Sequence, residues 1–180
     1  MEKRDDKKRG GLGGGTSVIT VGILTMSDKG SRGEREDLSG KEIEKMIKDL
    51  PANVLAYEII PDEADIIKKK IIEFADKKKV DLILTTGGTG VSPRDVTPEA
   101  TKAVIDRELP GMAEAMRMES LKKTPNAMIS RAVCGIRRQT LIINLPGSPK
   151  AVRENLSAVL PAINHAVEKI KGSQEECGTA

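Results

Sequence analysis

Val80-Asp-Leu-Ile-Leu-Thr85-Thr86-Gly87-Gly88-Thr89-Gly90-Val91-Ser92-Pro93-Arg94-Asp95-Val96-Thr97-Pro98-Glu99 decides how this chain is built. Val80 to Thr85 is a short, largely apolar strand of the kind buried on both faces of a parallel sheet. It runs straight into Thr86 to Gly90, three glycines and two threonines whose backbone N–H groups can approach a ligand without interference from Cβ atoms. Such a loop either cradles phosphate or simply turns the chain tightly. It lacks the Gly-x-Gly-x-x-Gly spacing of a dinucleotide fold and the Lys-Ser/Thr pair of a Walker A loop. Asp95 adds a carboxylate beside the loop, which a bound phosphate tolerates only with a hard cation such as Mg²⁺ between them. Thr97 is placed to cap the next helix, with Pro98 at its first position.

Outward from this stretch, strands and helices alternate. Ser17 to Thr25 and Asn53 to Ile60 read as strands, and Asp37 to Leu50 carries Ile43, Met46, Ile47 and Leu50 at helical spacing. Ile67, Ile71 and Phe74 mark a further helix, and Gly111 to Leu121 another, whose methionines suit either core or a subunit interface. Ala132 to Arg137 and Gln139 to Leu145 are strands, and Pro149 to Lys171 is a closing helix in which Pro161 predicts a kink. The pattern predicts an α/β fold, a three-layer, mostly parallel sheet with helices on both faces. Ligands of such sheets bind beyond the carboxyl ends of the strands. Ser27-Asp28, Asp62, Gly87 to Asp95 and Pro146-Gly147-Ser148 each follow a strand, so all four loops belong on one rim. Each also has a plainer reading. Asp62 fits a helix N-cap with Asp65 three residues on, Asp95 can pair with Arg94, Ser148-Pro149 is an ordinary helix start, and Asp28 an Asx turn.

Composition narrows the function classes. The 180 residues suffice for one domain with a sizeable core, yet hold only Tyr57 and Phe74 as aromatics. Nucleic-acid binding through aromatic stacking platforms is therefore not expected. The net charge is +3, with 30 Lys/Arg and 27 Asp/Glu; Met1 to Thr16 holds five of the former and three of the latter, leaving 25 against 24. A near-neutral body has no basic field for DNA or membranes. No apolar run approaches the ~18 residues of a membrane span. Met1 to Thr16, basic and then glycine-rich, is expected to be a disordered tail rather than a secretory signal, with the domain over 17–171 and a polar tail over 172–180. Cys134 and Cys177 lie in unlike contexts, which argues against a disulfide and for a cytoplasmic protein. His165 is the lone histidine, near the end of a long amphipathic helix, where packing or surface is the commoner role; no second His or Cys completes a zinc site, and a Ser-His-Asp set is not favoured.

Gly87-Gly88-Thr89-Gly90 followed by Arg94-Asp95-Val96-Thr97-Pro98-Glu99-Ala100-Thr101 resembles the signature of the molybdopterin adenylyltransferase family of molybdenum cofactor biosynthesis. Val21 to Asp28, Ile60-Pro61-Asp62-Glu63, Ser130-Arg131 to Arg137 and Ile143 to Lys150 are similar to further family segments, in colinear order over about residues 18–171. The resemblance implies transfer of AMP from ATP to the terminal phosphate of molybdopterin, releasing pyrophosphate. It also implies that Asp62 and Asp95 are catalytic and hold Mg²⁺ against the ATP phosphates. Substrate contacts would come from Ser27, Asp28, Thr86, Gly87, Gly88, Thr89, Gly90, Pro146, Gly147 and Ser148, with Arg94 as an additional phosphate clamp. A homotrimer, or a hexamer made of two, is implied, with the Met112 to Met118 segment as a candidate contact. The rival expectation is a non-catalytic module of the same fold that binds molybdopterin or nucleotide as carrier or scaffold.

Overall fold

The computed structural model describes residues 18–173, so the expected tail over Met1 to Thr16, nearly all of the 172–180 tail, and Cys177 lie outside the described residues. The β-branched run after Val18 forms β1 (Ile19–Met26), and a single turn, α1 (Asp28–Ser31), follows it. Asp37 caps α2 (Leu38–Met46), its side chain accepting from Gly40 N, before β2 (Ala52–Ile60) and α3 (Ala64–Ile72). The opening stretch then folds as β3 (Leu82–Thr86), every residue of it buried, and α4 (Thr97–Lys102). A two-residue strand β4 (Arg107–Glu108) leads to α5 (Pro110–Leu121), and a hairpin of β5 (Cys134–Arg137) and β6 (Thr140–Leu145) leads to α6 (Pro149–Ile170).

The six strands form one sheet in the order β2-β1-β3-β6-β5-β4. β2, β1, β3 and β6 are mutually parallel, and the β6–β5 and β5–β4 pairings are antiparallel. All four loops singled out in the sequence therefore leave the sheet on the same rim. Side chains alternate across it: Ile19, Val21, Ile23, Leu82, Leu84, Leu141 and Ile143 pack with residues of α2, α5 and α6, whereas Leu24, Ile83 and Ile142 pack with residues of α3 and α4. The three-layer architecture read from the pattern is the one observed. On the second face the fully buried ring of Phe74 lies over Gly22, where an added Cβ would collide with the ring.

One detail departs from the pattern and two others refine it. Thr97 is the first helical residue rather than the cap: Val96 occupies the cap position, and the Thr97 hydroxyl donates to Gly87 O at 3.0 Å. α6 runs as one element through Pro161. Within the Met112 to Met118 segment Met116 is core, Met112 is half-buried against it, and Met118 is exposed, because residues four apart share a helix face whereas Met118, two beyond Met116, falls on the opposite side.

At the amino end of the sheet Asp81 accepts from Thr20 N at 2.8 Å and from the Thr20 hydroxyl at 2.9 Å, and pairs with Lys171 at 2.6 Å. Burial raises its pKa, but the bonds from Lys171 and Thr20 outweigh burial and hold it below the ordinary aspartate value. A depressed folded-state pKa contributes stability above the unfolded value and loses it as pH falls. Asp81→Asn should therefore cost about 1–2 kcal/mol at pH 7, and the gap to the unmodified chain should close progressively below about pH 5. Thermal melts at several pH values check this; a gap independent of pH would contradict it.

Candidate functional site

β1 and β3 are neighbours, but the chain leaves β1 for α2 on one face and β3 for α4 on the other. A crevice opens where connections diverge in this way, at the carboxyl ends of the two strands. The glycines of the β3 loop allow close approach there. Gly87 has φ +98° and faces the Met26 carbonyl at the end of β1, and Gly88 has φ +63°. A Cβ on Gly147, in the loop after β6, would sit 3.3 Å from the Gly87 Cα, and the Thr86 hydroxyl donates to Pro146 O at 2.7 Å. The carboxyl ends of β1, β3 and β6 are thus drawn together by backbone contacts that side chains at the glycines would block.

The helix-cap reading of Asp62 does not hold. The cap position of α3 is Glu63, which makes no side-chain capping bond. Asp62 and Asp28 instead cross-link the loops after β2 and β1: Asp28 N donates to Asp62 Oδ2 and Asp62 N to Asp28 Oδ1, both at 3.0 Å. Burial raises the Asp62 carboxyl above the ordinary aspartate range, with the neighbouring Asp28 and Asp95 charges adding to the rise. Asp28 moves the other way, lowered by the Asp62 backbone N–H and then by Arg94. Arg94 does not pair with Asp95. Its guanidinium reaches Asp28 at 2.8 Å and Glu63 at 3.0 Å, bridging the β1 and β2 loops.

Asp95 accepts from Ser92 N at 2.8 Å through Oδ2. Gly90 lies against that oxygen, since a Cβ there would come within 2.8 Å of it. Among the described residues no hydrogen bond reaches Oδ1 of either Asp62 or Asp95. Each carboxylate is therefore fixed by one oxygen and keeps the other for a ligand. No group of three or more His, Cys, Asp or Glu that could hold a metal occurs among the described residues. Two hard oxygen donors lining one cavity suit Mg²⁺, which completes its shell with waters and substrate phosphates rather than an all-protein cage.

A third aspartate, Asp37, escaped sequence reasoning as a site residue. Its carboxylate accepts from Thr25 Oγ1 at 2.5 Å, Tyr57 OH at 2.6 Å, Gly40 N at 2.8 Å and Ser39 Oγ at 3.0 Å. Burial raises its pKa, and these four donors outweigh that and lower it. The signal was present only as a helix start, Asp37-Leu-Ser-Gly40, because its partners Thr25 and Tyr57 come from two other strands.

Two cavities adjoin at the rim. One of about 280 Å³ is lined by Thr25, Ser27, Asp37, Asp62, Gly87 and others, and one of about 430 Å³ by Thr89, Arg117, Ser120, Asn126, Ser148, Asn155 and others. Gly88, Asp95 and Gly147 line both. Gly90 and Pro146 line the second cavity as well, whereas Asp28, Thr86 and Arg94 line neither and hold the loops together from outside. Ser148 caps the 22-residue α6 by accepting from Ala151 N, so that helix points its amino end at the second cavity. The wall formed by Thr124 to Ser130 was missed in the sequence. It is a short 3₁₀ turn over Pro125–Ile129 with no periodic pattern to reveal it.

Residues 22–165 match the family described as "Probable molybdopterin binding domain". The chain is 51% identical over 158 residues to the molybdopterin adenylyltransferase of Helicobacter pylori J99, covering 87% of this chain and 90% of that protein. It is 42% identical to the molybdopterin adenylyltransferase of Escherichia coli K12, covering 84% and 78%. The crystal structure of the molybdopterin biosynthesis enzyme MoaB of Thermus thermophilus superposes with a TM-score of 0.82 at 54% identity, covering 87% of this chain and 98% of that one.

Proposed function

The chain belongs to the molybdopterin-binding domain family of molybdenum cofactor biosynthesis, and on that premise we propose that it transfers the adenylyl group of ATP to the terminal phosphate of molybdopterin, releasing pyrophosphate. The observation that carries this reading is the pair of cavities sharing Gly88, Asp95 and Gly147. Two reactants seated one in each cavity meet at that edge, as a two-substrate transfer requires. The second cavity offers amide, hydroxyl and carboxyl groups from Asn126, Asn155, Ser120 and Glu154 among apolar Ala127, Ile129 and Ala151. That lining suits the flat, polar-edged pterin, which leaves the nucleotide to the cavity holding Ser27 and Asp62.

The reaction forms a bond from a molybdopterin phosphate oxygen to the α-phosphorus of ATP and breaks the bond to pyrophosphate. A phosphate oxygen is already nucleophilic at neutral pH, so the residues need only position and neutralise. Backbone N–H groups of Gly88 to Gly90 and the amino end of α6 lie at the cavities and would receive phosphate there. Asp62 and Asp95 would hold Mg²⁺, which would supply positive charge against the phosphates. Arg94 lines neither cavity and its guanidinium is held by Asp28 and Glu63, so its first task is to tie the β1 and β2 loops.

The same reading gives a homotrimer, or a hexamer of two trimers, in the cytoplasm. Exposed Met118 and Leu121 at the end of α5, and Met128 and Ile129 in the Pro125–Ile129 turn, supply apolar surface for such contacts. No helix among the described residues is long and apolar enough to cross a membrane. The test of the activity is pyrophosphate release from ATP with the unmodified chain. Release that requires both molybdopterin and Mg²⁺ is expected; none with both present would leave a binding module of the same fold.

A further inference from the structure

The β3 loop from Val91 to Arg94 is exposed at its apex, with Val91 63% accessible, yet it must present the Asp95 carboxylate to both cavities. Its own internal bonds are few: Asp95 N to Ser92 O, Ser92 N to Asp95 Oδ2, and a long one from Arg94 N to Ser92 Oγ at 3.4 Å. A second element grips it. Arg131, between the Pro125–Ile129 turn and β5, donates from Nε to Gly90 O at 2.6 Å and from Nη2 to Asp95 O at 2.6 Å. Its Nη1 meets Glu99 at the start of α4, and its backbone N donates to Thr89 O at 2.9 Å. One planar guanidinium therefore pins the carbonyls at both ends of the exposed loop and the helix beyond it. Lysine, a point charge on a flexible stem, cannot reproduce that fork.

We propose that Arg131 is a positioning residue for the transfer, fixing the Asp95 carboxylate at the shared edge by clamping the carbonyls of Gly90 and Asp95. Arg131 lines neither cavity, whereas the adjacent Ile129 and Ser130 line the second one. A ligand seated there touches the segment that carries the clamp, which ties occupancy of that cavity to the placement of Asp95. The catalytic consequence rests on the proposed adenylyl transfer; the clamp itself does not.

The experiment uses the full chain with Arg131→Ala and Arg131→Lys and reads two quantities. Amide hydrogen exchange over residues 88–99 should rise in both variants. Pyrophosphate release with ATP, Mg²⁺ and molybdopterin should show kcat reduced about 100-fold in the Ala variant, the scale set by an ångström-sized misplacement. KM for either substrate should move less than about threefold, because the lost interaction orients the reacting groups rather than binding substrate. Added guanidinium chloride at low millimolar concentration should restore a large part of kcat in the Ala variant and none in the Lys variant. Should the Ala variant fail to fold, the Lys variant, which fills the same space, carries both readings. Unchanged exchange over 88–99, or kcat near that of the unmodified chain in either variant, overturns the proposal, as does a loss of kcat in a folded Ala variant that guanidinium leaves untouched. If the unmodified chain releases no pyrophosphate while exchange still rises in the variants, the assigned reaction fails and the clamp stands.

Discussion

Asp95→Asn, and separately Asp62→Asn, should lower pyrophosphate release about 100-fold or more while leaving molybdopterin bound and the fold intact. The substitutions are nearly isosteric, and the amide oxygen of Asn can still accept the bonds these carboxylates make, from Ser92 N for Asp95 and from Asp28 N for Asp62. What is lost is the second oxygen's charge, directed at the cavities. For Asp62 the stability change has a definite sign. Burial and the facing Asp28 and Asp95 charges penalise the ionised form, so neutral Asn should keep or raise the melting temperature as activity falls. A helix cap would behave otherwise, since Asn caps as well as Asp and the change would be silent in rate. Kinetics, molybdopterin titration and thermal melts on the two variants separate these outcomes. Near-normal turnover in both would remove the catalytic role.

Gly87→Ala should be the most damaging single-methyl change at the site. Its φ of +98° is costly for any residue with a Cβ, on the order of 1–3 kcal/mol. The Cβ would in addition meet the Met26 carbonyl, which belongs to a central strand and cannot withdraw. Gly33 is the internal control. Its φ is +73°, but nothing lies within 4 Å of an added Cβ, so Gly33→Ala should cost about 1 kcal/mol from conformation alone. Denaturant melts of both should place Gly87→Ala at least about twofold lower in stability than Gly33→Ala, with loss of pyrophosphate release in the former only. Equal costs would mean that the β1 end yields, and that its close approach to Gly87 is not needed.

The sheet was legible because its central strands are almost wholly apolar. The runs at Ile19, Leu82 and Thr140 have no helical period, and the Gly or Asn-Leu-Pro-Gly segments that end two of them mark where ligand loops must leave. What escaped was set by partners distant in sequence. β4 is two exposed residues, Arg107 and Glu108, recognisable only through pairing with β5. Thr97 carries every mark of a cap, yet its hydroxyl is drawn to Gly87 O, ten residues back. Asp62 fits a cap by its local sequence, yet its partner is Asp28 in the loop after another strand. At the site, the glycine loop and Asp95 could be picked out from spacing. Asp37 and Arg131 could not, since their significance lies in bonds that cross between strands and loops.

The bond from Tyr57 to Asp37 gives the protein an optical property of its own. The chain holds one tyrosine and no tryptophan, so near-ultraviolet emission comes from a single ring whose hydroxyl donates to a carboxylate lining the Asp62 cavity. Emission from such a ring is not masked by energy transfer to indole, and it is sensitive to the strength of that one bond. Any ligand that displaces Asp37, or any unfolding that releases Tyr57, changes the signal. The enzyme thus carries a label-free reporter at one of its own cavities, placed there by the contacts that hold α2 against the sheet.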